Sequence, residues 1–299
     1  MSPAALDAPG VALDAARLIA LRHVALAARD EASLAAAPGG FASRKRGRGL
    51  EIADVREYQT GDDLRQLDRG TTARTGRLHV RLFQEERDRI VLLVADFRSC
   101  MFWGVARAFR SVAAAEALAL IGWTVVAEGG RVGLLALTDG APVMVPSRGR
   151  TRGMLDAIGG MVAAHRDGLG RAGRGPSADP PLDAALSRLE RIAPAGSEIV
   201  IASGFDRAGP AFADRLGQAA RRRSVRLLAV SAGRGGELPP GTYPIRLPDG
   251  RVMRLRLGRG SAPEEERIDG WPATRIESAD PPEETARRLA LALQAEPAR

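Results

Sequence analysis

The chain has 299 residues, 45% of them hydrophobic, which supports one large or two small packed domains and excludes wholesale disorder. One cysteine, Cys100, excludes an internal disulfide framework and a cysteine-caged metal. The formal net charge of +8 points toward anionic partners, but Lys45 is the only lysine, asparagine is absent and aromatics are 4%, so the arginine excess reads as compositional bias and gives little for base stacking.

Residues 11–37 are rich in Ala and Leu. Leu13, Ala16, Leu18 or Ile19, and Leu21 fall at helical spacing, which predicts an N-terminal helix ended by Pro38-Gly39-Gly40. A basic, glycine-containing loop follows. Its residues 44–48 read either as a solvated connector or as a contact for an acidic partner. Residues 50–83 then crowd both signs of charge at close range. Arg56, Glu57, Tyr58, Asp62, Asp63, Arg65, Asp68 and Arg74 surround a turn signal at 60–63. A folded ion-pair network, structural or partner-binding, accounts for this better than a solvated face, and we expect it beside the carboxyl ends of the sheet.

From Ile90 the pattern changes to short apolar runs alternating with helices. Strands are predicted at 90–95, ending at Asp96, and at 132–137, 199–202 and 225–231. Helices are predicted at 105–123, 151–165 and 210–223, with a Gly/Arg loop at 166–177. Asp139-Gly140 signals a hairpin into Val143-Met144-Val145, which makes one sheet edge antiparallel. Asp179-Pro180 reads as a cap and first turn, followed by a stripe of Leu182, Leu186, Leu189 and Ile192. The runs 242–247 and 251–257 straddle Pro248-Asp249-Gly250 and allow a late hairpin, and Ala286, Leu289, Ala290 and Leu293 mark a C-terminal helix.

Buried strands alternating with helices argue an α/β fold, a Rossmann-like three-layer sheet, mostly parallel and covered on both faces. The expected divisions are an N-terminal helix and basic linker (1–46), a charged segment (47–88), the sheet domain (89–232) and a C-terminal extension with hairpin and helix (233–299). Ligands of such sheets bind at the carboxyl ends of strands, here Asp96 and Ser203-Gly204.

The spacing of Arg56-Glu57-Tyr58, Gly61-Asp62-Asp63, Arg65 and Asp68, with 73–78 and Met101-Phe102-Trp103-Gly104, closely resembles the signature of the domain of unknown function 58 family. The resemblance is good over 47–133 and weaker, but collinear, to 231. Arg69 departs from it, where the family usually has tryptophan. The family is similar in its second half to von Willebrand factor A domains, which commonly carry a metal-ion-dependent adhesion site. There an Asp-x-Ser-x-Ser loop, a threonine and a second aspartate hold a hard dication through oxygens. This chain departs at nearly every ligand. Arg98 and Cys100 stand at the two serine positions, 179–181 reads Asp-Pro-Pro where the threonine would fall, and Ser203 is followed by Gly204. Asp96 is thus a relict position, with Arg98, Ser99, Cys100, Ser203 and Gly204 around it. No metal and no cofactor are expected. Arg98 either pairs with Asp96 in place of the ion or points to solvent while Asp96 caps the next turn.

His23, His79 and His165 lack ligand spacing and read as surface or helix residues. Cys100 is either a buried small hydrophobe or a reactive thiol at a helix start. The closest approach to a membrane span, 112–127, contains Glu116, and no basic stretch precedes an apolar run at the N-terminus, so a cytoplasmic protein is expected. The resemblance implies a non-enzymatic bacterial interaction module, an adaptor or co-chaperone partnered by a MoxR-type AAA+ ATPase and other von Willebrand factor A-like proteins. A nucleic-acid-associated protein is the alternative, resting on the net charge and the basic loop. No catalytic motif supports an enzyme.

Overall fold

The computed structural model describes residues 7–36, 52–59, 62–64, 67–83, 89–172, 179–232, 241–246, 252–257 and 266–294. The basic loop 44–48, Arg65 and the segment 233–240 lie outside them. In chain order the elements are α1 (Ala15–Ala36), β1 (Ile52–Glu57), α2 (Arg69–Thr75), β2 (His79–Phe83), β3 (Ile90–Asp96), α3 (Arg110–Ala127), β4 (Arg131–Leu137), β5 (Val143–Gly149), α4 (Arg150–Ala172), α5 (Leu182–Leu186), α6 (Leu189–Ile192), β6 (Glu198–Ser203), α7 (Phe212–Ala220), β7 (Ser224–Ser231), β8 (Gly241–Arg246), β9 (Val252–Leu257), β10 (Glu266–Ile268), β11 (Trp271–Glu277) and α8 (Pro282–Gln294). The chain divides into two units, Met1–Ala36 with Arg89–Arg299, and Ala37–Asp88.

The larger unit is built on a seven-stranded sheet in the order β10-β11-β7-β6-β3-β4-β5. Its five inner strands are parallel, and β10 and β5 close the edges antiparallel. The apolar runs form inner strands because both faces are covered. Val91, Leu93 and Ala95 enter one core, and Leu92 and Val94 enter the other. Helices α1, α3, α4 and α8 contribute to the first core, and α5 and α7 to the second, giving three layers.

Helix α3 is buried almost all round, because α1 lies over the side that faces away from the sheet. The Trp123 indole donates to the Leu18 carbonyl at 2.9 Å, and the Arg22 guanidinium sits 5.8 Å from the Trp123 ring. Among the described residues α3 alone is long and apolar enough to cross a bilayer, and 83% of it is buried inside the protein. Its uniform apolarity answers to cover on every side.

Several local expectations need correction. Helix α3 starts at Arg110, not 105, because Phe109 before it is extended, with φ −67° and ψ 152°, and donates its N–H to the Gly10 carbonyl at 2.8 Å. Helix α4 runs on through the expected loop to Ala172, with Gly168 fitted against Phe102 and the Phe97 carbonyl. Asp179 does not cap a helix. It holds a φ of 41°, and the stripe beyond it splits into α5 and α6. The expected helix 210–223 shortens to α7. The late hairpin forms as β8 against β9. Strands β10 and β11 were not expected, and β11 extends the parallel sheet beside β7.

Candidate functional site

β3 and β6 end side by side at Asp96 and Ser203, and the loops that follow form the site. Asp96 and Arg98 are each about 1% exposed, and their side chains make a bidentate pair. Arg98 Nε donates to Asp96 Oδ1 at 2.9 Å and Nη2 to Oδ2 at 2.7 Å. The Arg98 backbone N–H adds a third bond to Oδ1 at 3.1 Å. Ser203 Oγ donates to Oδ2 at 2.6 Å and accepts the Phe205 N–H at 3.0 Å. Arg98 Nη1 reaches outward to the carbonyls of Pro180 at 2.6 Å and Arg207 at 3.2 Å. One guanidinium therefore gathers three loops onto one carboxylate. Of the two readings of Arg98, the solvent-facing one is overturned.

Burial opposes the charge on Arg98, but hydrogen bonding and attraction to Asp96 more than offset it and hold its pKa above the ordinary value. Burial pushes the Cys100 thiol well up, with the nearby Asp96 charge acting in the same direction, so it is no thiolate nucleophile. Burial also raises the Asp179 carboxyl against the pull of Arg98. Ser99 binds Asp139 twice, through its N–H at 3.0 Å and through its hydroxyl. Asp139 thus does more than form the hairpin turn its sequence signals.

A dication seated on Asp96 would meet the Arg98 guanidinium, so these residues do not fit a divalent ion. Among the described residues, no group of three or more His, Cys, Asp or Glu side chains is placed to hold a metal. A pocket of about 160 Å³ opens beside Arg98, walled by Pro142, Pro180 and Pro181 with Arg188 also lining it.

A second arginine braces the same end of the sheet. Arg110 Nε donates to the Val230 carbonyl at 2.8 Å and Nη1 to Asp206 at 2.7 Å, while its guanidinium lies 5.5 Å from the ring of Trp103, itself 48% exposed. A Cβ at Gly204 would fall 1.3 Å from Arg110 Nη2, so glycine leaves the room in which this guanidinium sits. Phe205 adopts a φ of 55° at the turn. Behind the site, His165 is no surface residue. It is buried with Nε2 3.1 Å from Ser111 Oγ, edge-on to Phe97 and Phe102, and burial lowers its pKa to about 4.

The smaller unit holds the charged block on the antiparallel pair β1–β2. Arg56 grips Asp62 with two bonds of 2.9 and 2.7 Å, and Asp62 also accepts the Gln59 N–H. Glu57 pairs at 2.9 Å with Arg77, a partner not foreseen. Each arginine lowers the pKa of its carboxylate. Asp68 caps α2 by accepting the Thr71 N–H at 2.7 Å, and Gly76 ends that helix with a φ of 72°. The Tyr58 N–H bonds the Leu78 carbonyl, while Asp63 and Arg74 are exposed. The described members thus build two ion pairs and a helix cap.

The chain is 35% identical over 102 residues to the uncharacterized proteins Mb1516 of Mycobacterium bovis and Rv1480 of Mycobacterium tuberculosis. Each match covers 34% of this chain and 32% of the relative, so about a third of the relatives' length is spanned. The family model described as protein of unknown function DUF58 matches residues 54–252, from the first charged strand through the parallel core to the late hairpin, and the chain belongs to that family.

Proposed function

We propose that the chain is a non-enzymatic protein-interaction module of von Willebrand factor A type, acting as adaptor or co-chaperone to a MoxR-type AAA+ ATPase and other von Willebrand factor A-like proteins in the cytoplasm. The observation that carries this reading is the buried Arg98–Asp96 pair at the carboxyl ends of β3 and β6. In this reading Asp96 is a relict ligand, and Arg98 supplies from within the chain the positive charge that a cation supplies elsewhere. The loops at 97–101, 179–181 and 204–207 are then held in one arrangement without an ion. Such a surface suits holding a partner, and its polar groups are spent on each other rather than poised on a reacting atom. The partner assignment rests on family resemblance alone.

Co-purification with the MoxR-type ATPase of the same organism, at moderate salt and after nuclease treatment, tests the reading. Recovery of the ATPase that falls for Trp103→Ala supports it, and recovery that depends on nucleic acid overturns it. A second measurement tests the ion-free site. A dication bound with a Kd of about 0.1 mM would stabilise the protein by roughly 2 kcal/mol at a few millimolar. We expect no shift in Tm with Mg²⁺. A saturable rise, lost in Asp96→Ala, would sink the idea that Arg98 replaces the ion.

A further inference from the structure

Residues 182–223 carry seven arginines and five acidic residues, close to balance as a sequence. The fold undoes that balance. Asp183 is buried and accepts the Ala211 N–H at 2.9 Å. Glu198 is buried between Arg89 and Arg226, at 2.9 and 3.1 Å. Asp206 is taken by Arg110 of α3. Three of the five carboxylates are thus committed away from the segment's own arginines. Arg191, Arg215, Arg221 and Arg222 are left exposed, and among the described residues their side chains have neither an ion pair nor a hydrogen bond.

The backbone gathers these positions. The Gly196 N–H donates to the Arg222 carbonyl at 2.7 Å, and Arg223 Nε donates to the Ala193 carbonyl at 2.8 Å, so the ends of α6 and α7 meet. Arg191 lies in the last turn of α6, and Arg221 and Arg222 follow α7 directly. Arg215, Gln218 and Arg222 succeed one another at i, i+3 and i+7, an exposed side opposite the buried Phe212, Leu216 and Ala219. Helix dipoles favour cations at C-terminal ends, but Arg215 stands in the first turn of α7, where a cation is disfavoured. Compositional bias accounts for the number of arginines, not for where their carboxylates went. The ends of α6 and α7 lie by the amino ends of β6 and β7, the opposite end of the sheet from Asp96.

We propose that the outer face of α6 and α7 contacts the phosphate backbone of double-stranded DNA without reading its sequence. Guanidiniums free of carboxylates suit phosphate oxygens, and duplex DNA presents one charge per about 1.7 Å of its axis. No aromatic or large aliphatic side chain is exposed among the described residues of 182–223. The bases of a single strand therefore find no stacking platform, a bilayer no inserting residue, and a protein partner no apolar interface core. Backbone phosphates need none of these. The contact stands apart from the Arg98–Asp96 site and does not depend on the ATPase reading.

Fluorescence anisotropy with the full chain tests this on a labelled DNA duplex of about 20 base pairs, two helical turns. Four guanidinium–phosphate contacts give a slope of log K against log salt of about −3.6, so Kd should rise about 150-fold between 50 and 200 mM salt. Scrambling the base sequence should leave Kd unchanged. Arg221→Gln with Arg222→Gln should halve the slope, and so should Arg191→Gln with Arg215→Gln. Arg152→Gln with Arg166→Gln removes equal charge from exposed positions on α4 and should leave the slope as it is. An unchanged circular dichroism melt confirms that each variant is folded. No duplex binding at the lower salt overturns the proposal. So does a slope that the Arg221 and Arg222 pair leaves intact, or an equal loss from the α4 pair, which would show that net charge alone is felt. Tighter binding to single-stranded DNA or to an RNA duplex, or binding to phosphatidylglycerol vesicles in place of DNA, overturns it in favour of that partner.

Discussion

Replacing Arg98 by alanine tests the site most directly. The substitution strips Asp96 of two charge-assisted bonds, at 2.9 and 2.7 Å, and leaves the carboxylate with the Ser203 hydroxyl and a backbone N–H. The carbonyls of Pro180 and Arg207 lose their donor in the same step. Removing one member of a buried pair costs about 3–5 kcal/mol, because an uncompensated charge remains. That is a large part of a typical folding free energy of about 5–15 kcal/mol, so Arg98→Ala should be folded but marginal. Urea unfolding followed by circular dichroism measures the loss. Two further variants identify its cause. Arg98→Lys keeps the charge but not the two-pronged geometry, and should fall between wild type and alanine. Asp96→Leu with Arg98→Met removes both charges, and should be more stable than Arg98→Ala despite carrying an extra substitution. A loss below about 1 kcal/mol for Arg98→Ala would show that the pair is not held out of water, since exposed pairs contribute about that much or less. A double variant that loses the sum of its single changes would show that the two residues act independently, and either result refutes the reasoning.

His165 provides a pH signature. Its folded pKa, about 4, lies below the ordinary 6.5, so the unfolded chain binds the extra proton first. Its contribution is complete above pH 6.5 and is lost as pH falls toward 4, a drop of about 3 kcal/mol that His165→Gln should flatten in a stability-versus-pH series. Gly204→Ala should displace the Arg110 guanidinium from Asp206 and the Val230 carbonyl, losing on the order of 2 kcal/mol in urea unfolding. Gly204→Ala added to Arg110→Ala should then cost little more than Arg110→Ala alone. In the smaller unit, Asp68→Ala should cost about 1 kcal/mol through the lost cap, with Asp68→Asn near neutral. Amide hydrogen exchange at Thr71 and Thr72 reads that change locally.

The inner strands β3, β4, β6 and β7 were legible because a strand buried on both faces must be a continuous apolar run, and each such run ends in a polar residue or a turn. The β4–β5 hairpin was legible because Asp139-Gly140 between two apolar runs marks a chain reversal, although the connection is a longer loop in which the Thr138 hydroxyl donates to the Ala141 carbonyl and accepts the Gly140 N–H. The charged motif of residues 54–78 was legible as a family signature. Strand β11 was not, because Pro272, Arg275 and Glu277 carry no strand pattern, and its pairing depends on the free edge of β7, more than forty residues earlier in the chain. Helix α3 read as apolar throughout, but that α1 covers its outer face is a property of the packed molecule. The place of Asp96 could be found from the end of its strand. The direction of Arg98 could not, because its side chain is set by Asp96 together with carbonyls 82 and 109 residues further along the chain. His165 is alike in this, since its neutral state comes from burial among Phe97, Phe102 and Ser111. Sequence alone thus determined the inner strands, the principal helices and where a site belongs, because those follow from local periodicity. Tertiary structure alone decided which charges are paired and buried, because a side chain's partner and its desolvation are set by residues distant in the chain.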